Sequence, residues 1–222
     1  MTPYYADDYV TLYHGDCREI TEWLTADVLV TDPPYPNNAG HFDDAVRAAE
    51  GIVSGADFKD AIIFWTELAP PPYTAQPLVA VHIWHRTNVN GRPYEPAYHF
   101  ADGPKKRSDV LAYPAIFNGA GPGCREYLGH PTQKPAVIMR RLLDKTEGVI
   151  ADPFAGSGST LAAAKFAGRR SIGVEVEERY CEIAARRLSQ DVLDFGPSLC
   201  VAAASVPAPA AAASTLNDKE NP

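Results

Sequence analysis

Four consecutive residues, Asp32-Pro33-Pro34-Tyr35, carry the plainest chemistry in the chain. Two prolines hold the backbone extended and remove two N–H donors. What is left is a rigid set of acceptors, the Asp32 carboxylate and the backbone carbonyls, with an aromatic ring beside it. That set suits a flat substrate bearing an exocyclic amino group. The acceptors would hold the N–H hydrogens and Tyr35 would stack on the ring. Taken alone, a Pro-Pro pair at a strand end is a turn, and the other stretches of the chain decide whether it is more.

A second stretch is Asp152-Pro153-Phe154-Ala155-Gly156-Ser157-Gly158-Ser159-Thr160. Apolar residues at 148–151 predict a strand before it, and 161–167 predicts a helix after it. Strand, glycine-rich turn and helix form a cradle for a dinucleotide-like cofactor, because glycines let the backbone approach and a helix N-terminus faces the ligand. It is not a phosphate-binding P-loop, since no Gly-Lys-Ser/Thr follows. The third glycine of the NAD fingerprint is absent too, with Leu161 in its place. Glu175 ends the next predicted strand, 170–174. It lies about twenty residues beyond the first glycine, where a carboxylate binds ribose hydroxyls in such folds.

Three further features are weaker. Asp16 follows a short alternating strand, 10–14, and reads either as a helix N-cap or as an acceptor at the same sheet edge as Asp32. His130-Pro131-Thr132-Gln133-Lys134-Pro135 is a polar turn opening a helix over 136–145. Lys105-Lys106-Arg107 is the one dense basic cluster, and it marks the Gly- and Pro-rich stretch 87–129 as a candidate nucleic-acid-facing insertion.

The elements that must position these residues alternate between strands and helices. The run 27–31 predicts a buried strand that delivers Asp32 at its C-terminal end, where ligands sit in open α/β sheets. Further strands are predicted at 61–65, 78–84, 96–101 and 110–117. Helices are predicted at 17–24, 42–53 and 177–188, with a short one after Pro70-Pro71-Pro72. Residues 36–41 are polar and turn-forming, a candidate lid. Residues 191–222 are rich in Ala and Pro and predict a disordered tail.

The chain has 222 residues, enough for one full α/β domain, and a formal net charge of −8. The acidic balance argues against a non-specific nucleic-acid binder, but not against an enzyme with its basic residues on one face. The four scattered cysteines and six histidines show no metal-ligand spacing, so no metal is expected. No run predicts a membrane span and the N-terminus lacks a signal-peptide pattern, so a cytoplasmic setting is expected.

Taken in order, Asp16, Asp32-Pro33-Pro34-Tyr35, the His130 to Pro135 turn and the Asp152 to Thr160 loop resemble the amino-group DNA methyltransferases that use S-adenosylmethionine. The arrangement is similar to their β group, in which the catalytic part comes first, the target-recognition region next and the cofactor part last. The resemblance implies a Rossmann-like methyltransferase fold, a mainly parallel sheet with helices on both faces and a small recognition insertion at 87–129, within a catalytic domain of 1–190. By position it implies catalytic roles for Asp32, Pro33, Pro34 and Tyr35. It implies cofactor-binding roles for Asp16, Thr132, Lys134, Asp152, Phe154, Gly156, Gly158 and Glu175, with Thr132 and Lys134 in the turn closing over the methionine end. Lys105, Lys106 and Arg107 are the candidate DNA contacts.

The expected partners are S-adenosylmethionine, giving S-adenosylhomocysteine, and double-stranded DNA with a flipped target base. Relatives of this kind also raise a homodimer and a cognate restriction endonuclease as expectations. Asp at the first motif position leans toward adenine N6, whereas cytosine N4 enzymes more often show Ser. The sequence departs from the family pattern at Arg86, where Trp-x-Lys is common. An NAD-dependent oxidoreductase is the runner-up from another class, and it leaves Asp32-Pro33-Pro34-Tyr35 without a role. A non-catalytic cofactor- or DNA-binding protein is a third reading.

Overall fold

The computed structural model describes residues 1–34, 43–66, 70–71, 74–89, 91, 93–116, 128 and 132–190. Tyr35, the 36–41 loop, most of 117–131 and the 191–222 tail lie outside the described residues.

Nine strands form one sheet among the described residues. In chain order they are β1 (Tyr5–Ala6), β2 (Val10–His14), β3 (Val28–Thr31), β4 (Asp60–Phe64), β5 (Leu78–His85), β6 (Tyr94–Ala101), β7 (Val110–Ala112), β8 (Ile150–Asp152) and β9 (Ser171–Glu175). Their spatial order is β1-β2-β9-β8-β3-β4-β6-β5-β7. The five neighbours β2, β9, β8, β3 and β4 run parallel. Their C-terminal ends therefore share one edge, which carries His14, Glu175, Asp152, Thr31 and Phe64.

Among the described residues four helices form, α1 (Asp43–Ser54), α2 (Ala136–Leu143), α3 (Ser159–Phe166) and α4 (Glu178–Leu188). Successive β3 residues point to opposite faces, as strand geometry demands. Val28 and Val30 pack with Ile138, Met139 and Ala163 of α2 and α3. Leu29 packs with Trp23, Val53 of α1 and Phe58 on the other face. α4 buries Cys181, Ala184 and Leu188, at helical spacing, against Val10 and Leu12 of β2. The expected α/β architecture, mainly parallel with helices on both faces, is what forms.

The chain leaves β3 through α1 to reach β4 on one side, and leaves β8 through α3 to reach β9 on the other. β3 and β8 are neighbours. The crevice between their C-terminal ends is thus a topological switch point, the place where open α/β sheets bind ligands.

Some expectations need correction. Residues 17–24 make turns and one 3-10 segment, Glu22–Thr25, instead of a helix. The Trp23 indole donates to the Cys17 carbonyl at 2.9 Å, occupying an acceptor that a helix would have used. No helix follows Pro71 within the described residues 74–77. The strand expected over 110–117 stops at Ala112. β6 and β7, both within 87–129, belong to the main sheet. β6 is sandwiched antiparallel between β4 and β5. No described helix is long and apolar enough to cross a membrane.

Candidate active site at the switch point

The site is built from four strand ends. A cleft of about 440 Å³ opens there, lined by Asp16, Asp32, Pro34, Thr132, Lys134, Asp152, Phe154, Gly156 and Glu175, with Ile52 and Met139 adding apolar surface. That volume suits a small cofactor.

β8 delivers Asp152, which is buried. Its Oδ1 accepts from Thr31 Oγ1 at 2.8 Å and from the Phe154 backbone N–H at 3.2 Å. Burial raises its carboxyl to about 6 against those hydrogen bonds. The turn that follows needs left-handed backbone at Gly156 (φ 51°) and Gly158 (φ 74°). A Cβ on Gly158 would meet the Ala184 Cβ at 3.0 Å, so this glycine opens α3 and lets α4 approach. Gly156 faces the cleft and Gly158 does not line it.

Glu175 ends β9, nearly buried. Its Oε2 accepts from the Gly156 N–H at 2.7 Å, and its Oε1 accepts from the Glu177 N–H at 2.8 Å. Burial raises this carboxyl, opposed by those two backbone donors. The same glycine that approaches a ligand thus orients the acid beside it.

Asp16 lines the cleft and also closes its own turn. Its Oδ1 accepts from the Arg18 backbone N–H and Arg18 Nε, both at 2.9 Å. Its carbonyl accepts from the Glu19 and Ile20 N–H groups. With no helix at 17–24 to cap, Asp16 both closes this turn and lines the cleft. The Arg18 guanidinium holds its carboxyl below the usual range.

Asp32 follows β3 directly. Its Oδ2 accepts from Lys134 Nζ at 2.5 Å. Its Oδ1 is buried with no hydrogen-bond partner among the described residues. Burial raises the carboxyl to about 6, with Lys134 opposing and Glu95 reinforcing the rise. Pro34 lines the cleft and Pro33 is buried.

Lys134 lines the cleft and also meets two carboxylates. Its ammonium sits between Asp32 and Glu95, 2.8 Å from Glu95 Oε1 and 4.9 Å from the Phe64 ring centroid. The Lys134 carbonyl accepts from Ser159 Oγ at 2.7 Å, and Ser159 Oγ accepts in turn from Arg187 at 3.1 Å. This ties the turn before α2 to the start of α3. Glu95, Ser159 and Arg187 were missed from sequence. The one available signal for Glu95 was a carboxylate inside a predominantly apolar strand.

Comparison with known proteins bears on this geometry. The DNA methylase family N6_N4_Mtase matches residues 79–186. The type II methyltransferase M.ScaI of Streptomyces caespitosus is 26% identical over 258 aligned positions, covering 85% of this chain and 84% of that enzyme. The DNA adenine methyltransferase YhdJ of Escherichia coli is 41% identical over 66 residues, 28% of this chain and 22% of that protein. Among solved structures, an M1.HpyAVI–SAM complex matches with a TM-score of 0.62 at 21% identity, covering 82% of this chain and all of that one. The cytosine-N4-specific PvuII methyltransferase matches with a TM-score of 0.62 at 16% identity, covering 85% and 89%. These likenesses support an amino-group DNA methyltransferase of this family.

The DNA methylase match leaves the NAD reading without support. It also sharpens the question of where this methyltransferase meets DNA. Lys105, Lys106 and Arg107 follow the C-terminal end of β6, which runs antiparallel to β4. They therefore lie at the edge of the sheet away from Asp32. Lys106 is committed there: its Nζ lies 2.5 Å from Asp60 Oδ1, and its backbone N–H donates to the Val79 carbonyl. Lys105 and Arg107 are exposed. The cluster expected to contact DNA is thus on the opposite sheet edge from the cleft. Arg86, by contrast, is on the site edge, 3.7 Å from Glu95 Oε2.

Proposed function

We propose that this methyltransferase transfers the methyl group of S-adenosylmethionine to the N6 amino group of adenine in DNA. The observation that carries the reading is Asp32 Oδ1, a buried acceptor with no partner among the described residues, at the end of β3 and on the wall of the cleft. A buried acceptor left unpaired costs free energy until a donor arrives. An exocyclic amino group brings that donor.

The donor set fits the cofactor. Glu175 presents a carboxylate for ribose hydroxyls, Gly156 permits close backbone approach, and Asp16 offers an acceptor for an amino group. S-adenosylmethionine supplies a sulfonium-bound electrophilic methyl when bound. The chain's part is orientation and charge. Asp32 Oδ1 and the Pro33 carbonyl would accept the two amino hydrogens, favouring a pyramidal nitrogen with a free lone pair. The nitrogen gains the methyl and loses one proton, and Asp32, raised to about 6 by burial, is basic enough to receive it. This is positioning and electrostatic preorganisation. The described cysteines do not suggest a covalent route, because burial pushes the Cys17 and Cys181 thiols up to about 11 and about 12.

The target base must leave the duplex stack to reach this cleft, at a cost of a few kcal/mol. Tyr35 would offset part of that by stacking. The base contacts would fall to the segment after β7. That strand runs parallel to β5, and its end pairs with His85 at the site edge. Tyr113 and Ala115 are then held there by Trp84 Nε1 and Asn88.

Adenine is favoured by Asp at the first motif position and by the adenine-named relative YhdJ. Cytosine N4 presents similar geometry, and the PvuII likeness keeps it as the second reading. The deciding experiment incubates unmethylated DNA with the protein and labelled S-adenosylmethionine, then reads the digested nucleosides by mass spectrometry. Label in N6-methyladenine supports the reading. Label in N4-methylcytosine overturns the base assignment and keeps the mechanism.

A further inference from the structure

We propose that Glu95 is a positioning residue for methyl transfer: through Lys134 it decides which oxygen of Asp32 stays open to the target amino group. The proposal rests on the methyltransferase reading above. Asp32, Lys134 and Glu95 come from three separate places, the end of β3, the turn before α2 and the start of β6. They meet as an alternating row of charges. Lys134 Nζ lies 2.5 Å from Asp32 Oδ2 and 2.8 Å from Glu95 Oε1, with the Lys134 side chain only 6% exposed. On the far side, Arg86 lies 3.7 Å from Glu95 Oε2.

An ammonium has three donors and no fixed plane. Beside a lone carboxylate in a dry site it would centre on that group and approach both oxygens. Glu95 draws it to one side. Lys134 then engages Oδ2, and Oδ1 remains an acceptor with no partner among the described residues. Glu95 also shares the positive charge, so Asp32 keeps more of its negative charge for the amino hydrogens. The charged groups facing Asp32 among the described residues are Lys134, Glu95 and Asp152. Glu95 reaches Asp32 through a shared cation.

Glu95→Gln removes the charge and keeps the shape. The expected result is a fall in kcat of about tenfold or more, the scale of a weakened charge-assisted contact in a transition state. KM for S-adenosylmethionine should change little. In the protein without cofactor, the Asp32 carboxyl followed by NMR should titrate at lower pH, because Lys134 is no longer shared. Glu95→Asp should recover part of both effects. Wild-type kcat and an unmoved Asp32 titration in Glu95→Gln would overturn the proposal while leaving the methyltransferase reading intact. So would a loss that tracks a lower melting temperature and is not relieved by Asp. A wild-type protein that binds the cofactor and methylates no DNA would overturn both readings.

Discussion

Thr31 and Asp152 are joined across the switch point: Thr31 Oγ1 donates to Asp152 Oδ1 at 2.8 Å, and both residues are buried. The strand that ends in the candidate catalytic carboxylate is thereby pinned to the strand that opens the candidate cofactor loop. Thr31→Val keeps the shape and deletes the donor. Asp152 would then rise further in pKa, since burial already raises it and Thr31 is one of the groups holding it down. The expected loss is about 1–3 kcal/mol of stability, the cost of an under-satisfied buried polar group, with weaker S-adenosylmethionine binding. Denaturant unfolding and calorimetric titration check it. Wild-type values for both would show the hydroxyl to be dispensable.

Asp32→Ala removes the open acceptor but no cleft residue on the Glu175 side. Methyl transfer should fall by about a hundredfold or more, the scale for one preorganised polar group, while cofactor affinity is kept within a few-fold. The wild-type pH profile carries the same assignment. Activity needs the ionised carboxylate, and Asp32 is raised to about 6, so kcat should fall as pH drops through that value. A rate independent of pH between 5 and 7 would remove Asp32 from the rate-determining contact.

Much of this site was legible because the chemistry is local. Asp32, Asp152 and Glu175 each end a short apolar run, and each is delivered to the same edge by a parallel strand. The glycines after Asp152 signal a backbone that must turn sharply. Glu95 was not legible, because its partner is Lys134 and nothing local links β6 to the turn before α2. The place of β6 was hidden for the same reason. Residues 94–101 sit in a Gly- and Pro-rich neighbourhood that looks like an insertion, yet long-range pairing with β4 and β5 puts them inside the sheet. The Lys105-Lys106-Arg107 run shows the converse case. A charge cluster announces itself in sequence, but the strand direction that carries it away from the site does not.

That placement makes its own prediction. Neutralising the exposed pair, Lys105→Gln with Arg107→Gln, should leave the salt dependence of DNA binding unchanged within error. If either side chain neutralised a phosphate, its removal would flatten the slope by about one. Lys106→Met should act on the fold instead, because Asp60 loses its cation. The effect on stability should be about 1 kcal/mol, given that the Lys106 side chain is one-third exposed. A flattened salt slope in the double variant would return the DNA surface to this edge.

The other buried charge device lies beneath Lys106. His99 Nε2 lies 2.8 Å from Asp60 Oδ1, and His99 Nδ1 lies 3.3 Å from His82 Nε2. If Asp60 takes the His99 Nε2–H, His99 Nδ1 can accept from His82 Nε2–H, and His82 Nδ1 is buried with no partner among the described residues. A second proton on His82 would land on that atom. Burial, with Lys145, His99 and Lys106 nearby, lowers its pKa from 6.5 to about 4, Asp109 opposing. The unfolded chain takes a proton at His82 below 6.5 and the folded chain does not until about 4, so this group costs stability as pH falls across that window. Asp32 and Asp152, raised in the folded state, act with the opposite sign over part of the same range. The clean measurement is therefore a difference. Wild type and His82→Leu are unfolded in parallel from pH 7 to pH 4.5, and the variant should lose less stability than wild type on acidification. Parallel curves would mean that His82 is protonated in the folded state at these pH values, and that its ring finds an acceptor on Nδ1.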